Sequence, residues 1–369
     1  MESKNVTIIG IGKLGLGFAL LLENAGYNVL GVDVVESYVN NINNKTISFA
    51  EPGYNELLQN SVNLKATTSL KEGVEFSDII FIIVQTPNSG GSKFYDHSIL
   101  SNVLVNINKL APKNKDIIVG CTVMPKYIDE TGSFLLGDCE NSFLSYNPEF
   151  VAQGDIINGF KKPDIILVGS NNPTLKPKLE ELYAGMTSSS PLMCFMKPIE
   201  AEIVKISLNG YITTKISFAN MISDLCDNVG ANKYTVLHAI GSDSRIGNKY
   251  FKPGNSFGGP CFPRDTRALK QLMDQNQIES GLLAATTQYN EEHIHFQVQQ
   301  LLSECLDEYV IRNVCYKENS TIPIIEESAK LKIAHELVLM GKVVTIVDVP
   351  EIIMEVKKEY GNIFNYQCK

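Results

Sequence analysis

The chain has 369 residues, 44% of them hydrophobic, which is room for two or three domains around a substantial core. Its formal net charge of −9 removes the electrostatic argument for a nucleic-acid or membrane-surface partner. No apolar run is long enough to cross a bilayer, and the N-terminal stretch reads as a strand rather than a signal peptide. The eight scattered cysteines contain no Cys-x-x-Cys pair, which predicts reduced thiols and a cytoplasmic location rather than disulfides or zinc.

The first predicted strand, residues 6–9, leads into Gly10-Ile11-Gly12-Lys13-Leu14-Gly15 and then an amphipathic helix over 16–25. A second apolar run, 29–32, ends at Asp33. The first glycine makes a tight turn, the second lets a pyrophosphate approach, and the third packs helix on strand. The free N–H groups of the helix N-terminus then face the phosphates. Asp33 lies where an acid accepts hydrogen bonds from an adenine ribose and repels a 2′-phosphate, and no arginine follows closely. The predicted cofactor is therefore NAD rather than NADP, cradled by Gly10, Gly12, Lys13, Leu14, Gly15 and Asp33.

Further strand-like runs at 79–84, 117–121, 143–146 and 165–168 alternate with helical segments. That alternation predicts an α/β fold with a doubly wound, mostly parallel sheet. Ligands bind such sheets beyond the carboxyl ends of the strands. Gln85-Thr86-Pro87, Thr122-Val123-Met124-Pro125 and Asn147-Pro148-Glu149-Phe150 all fall there. Each alone reads as an ordinary strand-to-helix turn; their shared position is the reason to single them out.

Residues 198–229 carry one long helical pattern, a spine joining two domains. Glu202, Lys205 and Asn209 share a face of it, and in isolation they read as a solvated face with an ordinary ion pair. A helical domain continues to about residue 306. It includes the polar loop Asp243-Ser244-Arg245-Ile246-Gly247-Asn248-Lys249-Tyr250, a mixture that suits a phosphate or a sugar. Next comes Phe257-Gly258-Gly259-Pro260-Cys261-Phe262-Pro263-Arg264-Asp265. Glycines allow close ligand approach, flanking prolines restrict the loop, and a thiol held there can meet a substrate carbonyl while Arg264 favours the thiolate. Taken alone, Cys261 reads as a small buried hydrophobe. His293 and His295 lie in a polar stretch and are expected at the surface; the five histidines form no metal cluster. A strand at 309–314, a helix at 326–339 and a strand at 343–347 ending at Asp348 predict a short third α/β unit.

Together these motifs resemble the UDP-glucose/GDP-mannose dehydrogenase family, from Gly10 to about Asp348 and most specifically from Asp243 to Leu269. Glu51-Pro52-Gly53 and Asn147-Pro148-Glu149-Phe150 are further marks, and a cysteine followed by Phe-Pro resembles the UDP-glucose branch. The resemblance implies two Rossmann-like domains joined by a helical domain with a long central helix, divided here at 1–197, 198–306 and 307–369, and a homodimer or larger assembly built on that helix. It implies NAD-dependent, four-electron oxidation of a UDP-sugar alcohol to an acid, UDP-glucose being the first choice. Cys261 would be the nucleophile, surrounded by Lys205, Asn209 and Asp265, with Thr122 and Glu149 handling water. Thr86, Pro87 and Thr122 would face the cofactor. Glu149, Phe150, Lys205, Asn209, Phe257 and Gly258 would line the substrate, and Tyr250 and Lys317 would touch its phosphate or hydroxyls. Arg245 would reach toward the sugar of a neighbouring subunit. The chain departs from the family pattern at Pro260, where many relatives have serine, at Arg264, where lysine is common, at Gln153, a frequent glutamate, and at Glu326, where many have arginine. The third unit is also shorter than usual. Alternatives are the same reaction on another nucleotide sugar, two-electron oxidation of a small β-hydroxy acid, which does not need the cysteine loop, and a nucleotide-sugar-binding protein that has lost turnover.

Overall fold

The structure, a computed structural model, describes residues 4–47, 49, 51–91, 93–317 and 322–369. The chain divides into two compact units, Met1–Lys205 and Ile206–Lys369, with the boundary inside the helix Pro198–Val229.

The first unit is built on an eight-stranded sheet. Its strands are β1 (Asn5–Ile9), β2 (Asn28–Val32), β3 (Leu64–Thr67), β4 (Ile79–Ile82), β5 (Asp116–Val119), β6 (Phe143–Tyr146), β7 (Ile165–Gly169) and β8 (Leu192–Met196). The spatial order is β3-β2-β1-β4-β5-β6-β7-β8, parallel throughout except for the β6–β7 pair. The central strands are buried runs of Val and Ile because helices cover both faces. Val32 pairs with Ile9, Ile9 with Ile82, Ile82 with Val119, and Val119 with Tyr146. Five strands therefore end level, and the turns carrying Gly10, Asp33, Thr86, Thr122 and Glu149 leave from one edge. That edge is where a doubly wound sheet binds its ligand, beside the reversal of strand order at β1.

The second unit starts on the long helix, whose observed span Pro198–Val229 matches the sequence pattern. The helices Phe262–Gln275 and Gly281–Leu302 follow. It ends in a small parallel sheet, order β11-β10-β9, made of β9 (Glu308–Arg312), β10 (Val343–Asp348) and β11 (Asn365–Cys368). Ile294 and Val298 share a core with Val344 and Ile346, so the small sheet packs on the helix Gly281–Leu302. Asp348 is buried, and its carboxylate accepts the N–H groups of Val314 and Val349 at 2.8 and 2.9 Å. It pins the strand end, unlike Asp33 at the end of β2.

Strands β3, β8 and β11 are absent from the sequence reading; none of them contains a Val or Ile to mark a strand. The expected helix over 326–339 begins at Ala329, because Ser328 caps it by accepting the Leu331 N–H. Among the described residues no helix is long and apolar enough to cross a membrane, and no group of three His, Cys, Asp or Glu is placed to hold a metal ion.

Candidate active site

In the first unit, Gly10 sits at φ +88, where a Cβ would lie 2.5 Å from the Ile83 carbonyl oxygen. A Cβ on Gly15 would lie 2.0 Å from the Gly10 carbonyl oxygen, so helix and strand touch through backbone. Gly12 is different: a Cβ there meets nothing within 4 Å. Gly12 is also the N-cap of the helix Lys13–Asn24, whose first turn has no acidic residue and no side-chain cap. Free N–H groups facing open space fit an anion such as a pyrophosphate. Lys13 lies 5.7 Å over the Phe49 ring, and its carbonyl accepts the Tyr54 hydroxyl at 2.7 Å. Leu14 packs against the core. Asp33 is half-buried, with one oxygen accepting the Val35 N–H at 3.1 Å.

The other strand-end turns are braced against each other. The Thr86 hydroxyl donates to the Thr122 carbonyl at 2.9 Å, and the Pro87 carbonyl accepts the Asp96 N–H at 2.8 Å. His97 Nε2 accepts the Met124 N–H at 3.1 Å, and burial pushes His97 down to about 4, so it serves as a neutral acceptor. Asn147 is buried. It donates to the Leu167 carbonyl at 2.8 Å and accepts the Tyr183 hydroxyl at 2.5 Å, which fixes the start of the Glu149 turn. Glu51 accepts the Gly154 N–H at 2.9 and 3.1 Å, tying the Glu-Pro-Gly turn to the segment after Phe150; burial raises its carboxyl. Lys205 is buried, donates to the Glu149 carbonyl oxygen, and lies 4.4 Å over the Phe150 ring. Glu202, expected on a solvated face with an ion pair, is instead fully buried and bound to backbone N–H groups.

In the second unit, Cys261 is exposed, contrary to its reading in isolation as a buried hydrophobe. It occupies the N-cap of the helix Phe262–Gln275. Arg264, in the first turn, hydrogen-bonds the Cys261 side chain; burial lowers the guanidinium from its ordinary value, while Cys261 and Glu326 hold the charge in place. Asp265 is 1% exposed and accepts Asn209 Nδ2 at 2.5 Å. Burial holds its carboxyl well above the usual range.

The glycines before the cysteine are clasped by the chain's last α/β segment. Gly259 has φ +80, and its N–H donates to the Glu326 carbonyl at 2.9 Å. A Cβ on Gly259 would lie 2.3 Å from the Tyr316 ring, and one on Gly258 would lie 2.1 Å from the Glu327 carbonyl oxygen. Glu327 also pairs with Arg267 at 2.6 Å. Phe257 is held on its other side: its N–H and carbonyl bond the Asn290 side chain at 2.8 and 3.0 Å.

His293 corrects the surface expectation. It is 3% exposed, with Nδ1 2.8 Å from Asp224 and Nε2 2.9 Å from the Gly254 carbonyl. Asn290 and His293, three apart on one helix face, therefore latch the segment leading to the cysteine. Their i, i+3 spacing was visible in the sequence; their buried partners were not. His295 is exposed and pairs with Glu336.

The remaining candidates stand in looser surroundings. Tyr250 has φ +61 and packs edge-on to Phe262 at 5.9 Å. Arg245 is exposed and folded onto Asp243 through two bonds of 3.0 and 2.8 Å. Lys317 is exposed.

Residues 4–187 match the NAD binding domain model of the UDP-glucose/GDP-mannose dehydrogenase family, and residues 199–292 match the family's central domain. A UDP-glucose 6-dehydrogenase from Rickettsia bellii (strain RML369-C) is 30% identical over 310 residues, covering 82% of this chain and 70% of the relative. One from Rhizobium meliloti (strain 1021) is 30% identical over 296 residues, covering 78% and 67%. The chain spans about two thirds of the length of such curated relatives, from 65% to 70%. Among solved structures, a UDP-glucose dehydrogenase from the hyperthermophilic archaeon Pyrobaculum islandicum matches with a TM-score of 0.89 at 26% identity, covering 99% of this chain and 86% of that one.

Proposed function

The chain belongs to the UDP-glucose/GDP-mannose dehydrogenase family and is an NAD-dependent oxidoreductase, and from that premise we propose that it oxidises the C6 alcohol of UDP-glucose to UDP-glucuronate. The observation that carries this reading is the exposed Cys261 at a helix N-cap with Arg264 bonded to its side chain. A helix N-terminus and a guanidinium both favour the thiolate, the form that attacks carbonyl carbon. A dehydrogenase that stops at an aldehyde or ketone has no need of that group.

NAD⁺, when bound, accepts the hydride of each oxidation; its fit rests on the open face of Gly12 and on Asp33. The alcohol proton leaves to a base or an ordered water near Lys205 and Glu149. Cys261 thiolate adds to the C6 aldehyde, forming a carbon–sulfur bond, and Lys205 and Asn209 stabilise the oxygen that gains charge. Loss of the second hydride turns this thiohemiacetal into a thioester. Water placed by Thr122 and Glu149 breaks the carbon–sulfur bond, releasing the carboxylate and restoring the thiol. Asp265, held high by burial and bonded to Asn209, is suited to carry a proton in that step. One UDP-glucose, two NAD⁺ and one water give one UDP-glucuronate, two NADH and protons.

The test is NADH yield with limiting UDP-glucose and excess NAD⁺. Two NADH per sugar supports the reading. Turnover of a different nucleotide sugar keeps the chemistry and moves the specificity. One NADH per substrate on a small hydroxy acid would overturn it. Silence on every substrate, with NAD still bound, would favour a binding protein.

The same reading makes the protein a cytoplasmic homodimer, divided into functional parts at 1–197, 198–306 and 307–369. Tyr211, Phe218 and Leu225 are exposed, seven residues apart on the long helix, and Met221 and Val229 extend the stripe. A monomeric helix rarely leaves such a continuous apolar line in water. Phe218→Asp with Leu225→Asp is expected to halve the mass measured by light scattering after gel filtration. A dimer surviving both changes would move the interface elsewhere. Arg245, exposed in the same unit as that apolar stripe, is then expected to lose its role in turnover when the partner is lost.

A further inference from the structure

We propose that Glu202 is a positioning residue, holding the Thr122 turn and Lys205 in register for catalysis. Its oxygens accept two backbone N–H groups, Lys126 at 2.7 Å and Ile128 at 2.8 Å. These N–H groups follow Thr122-Val123-Met124-Pro125 directly, and Lys126 sits at φ +82, a left-handed position uncommon for a residue with a side chain. Three residues on, the same helix presents Lys205, bound to the Glu149 carbonyl. Two side chains from one helical turn thus fasten the loops after β5 and β6. Three of the four residues assigned to water and developing charge, Thr122, Glu149 and Lys205, are set by this pair of fastenings.

The arrangement needs the ionised carboxylate. A carboxylate offers an acceptor to each N–H, whereas a protonated carboxyl turns its O–H toward one of them. Yet Glu202 is 0% exposed. Burial pushes its carboxyl up to about 7, and the carboxylates of Asp129 and Glu130 act in the same direction. Tyr146, on β6, is near enough to interact electrostatically with it while its hydroxyl accepts the Val123 N–H, and the Lys126 side chain is turned to Glu130 at 3.5 Å. The two consequences have opposite signs. Folding stability from this group is fully present below about 4.5 and is lost as the pH rises through about 7. Alignment of the Thr122 turn is gained over the same window.

The kinetic part of this proposal rests on the dehydrogenase reading above. Glu202→Gln is expected to lower kcat by about tenfold to a hundredfold, the usual cost of misplaced reacting groups, with a smaller change in the KM for NAD⁺. The acid limb of the kcat–pH profile near neutrality is expected to vanish, and the fall in unfolding temperature between acid and neutral pH is expected to shrink, the remainder belonging to the buried carboxyls of Asp265 and Glu51. Unchanged kcat with an intact acid limb would overturn the proposal. A second measurement uses the wild-type protein, in case the variant does not fold or no sugar is turned over. With labelled glutamate carboxyls and threonine methyls, NMR is expected to show the Thr122 methyl moving with the same midpoint as the Glu202 carboxyl. A Thr122 signal that ignores that titration would overturn the proposal independently of what the enzyme oxidises.

Discussion

Cys261→Ser is expected to leave binding of NAD⁺ and nucleotide sugar close to wild type while lowering kcat for complete oxidation by about a thousandfold or more. The change is unusually clean. Serine is a preferred N-cap residue, Cys261 is exposed, and one oxygen replaces one sulfur, so folding has no reason to suffer. What is lost is nucleophilicity: Arg264 and the helix end can stabilise a thiolate but cannot bring a serine hydroxyl, far higher in pKa, into ionised form near neutral pH. Calorimetric titration would check binding. NADH yield per sugar and intact-protein mass spectrometry would check chemistry, the wild type showing a covalent adduct that the variant lacks. Full turnover by the variant would remove Cys261 as nucleophile.

A paired substitution in the glycine turn should separate ligand binding from folding. Gly12→Val is expected to fold normally. The position has φ −66, which any residue adopts, and a Cβ there meets no atom within 4 Å. The added branches would occupy the open approach to the helix N-terminus, and NAD⁺ affinity is expected to fall by about a hundredfold or more, equivalent to losing roughly 3 kcal/mol of binding. Gly15→Val should do the reverse. Its Cβ would overlap the Gly10 carbonyl oxygen at 2.0 Å, a backbone atom that cannot rotate away. The expected cost is about 3 kcal/mol of folding stability or more, read by denaturant unfolding. Unchanged NAD⁺ affinity in Gly12→Val would refute the cofactor role of this turn.

Legibility in the sequence followed the range of the interactions. The Gly-x-Gly-x-x-Gly turn, the strand before it and Asp33 after the next strand were readable because each follows from local backbone geometry and period. The helix 198–229 was readable for the same reason, and the observed bounds agree. The cysteine loop was conspicuous because Gly, Pro and Cys each constrain the chain at their own position. The edge strands β3 and β8 escaped notice because they lack the Val and Ile runs that mark β1, β4 and β5: Leu64-Lys65-Ala66-Thr67 is half polar, and Leu192-Met193-Cys194-Phe195-Met196 has no β-branched residue.

The sequence by itself thus determined the fold class, the position of the glycine turn proposed to hold the cofactor and the identity of the nucleophile candidate. Tertiary structure decided which polar residues are buried and whom they serve. Glu202 looked like one half of a surface ion pair, yet its partners are backbone N–H groups 74 and 76 residues away. His293 looked solvated, yet it is closed between Asp224 and Gly254, 69 and 39 residues distant. Gly258 and Gly259 announced a tight loop, but that the loop is clasped by Tyr316, Glu326 and Glu327 required the chain to return. Backbone preference and hydrophobic period act over a few residues and are written locally. Desolvation of a polar group depends on what packs against it, and its hydrogen bonds are settled only when distant segments meet.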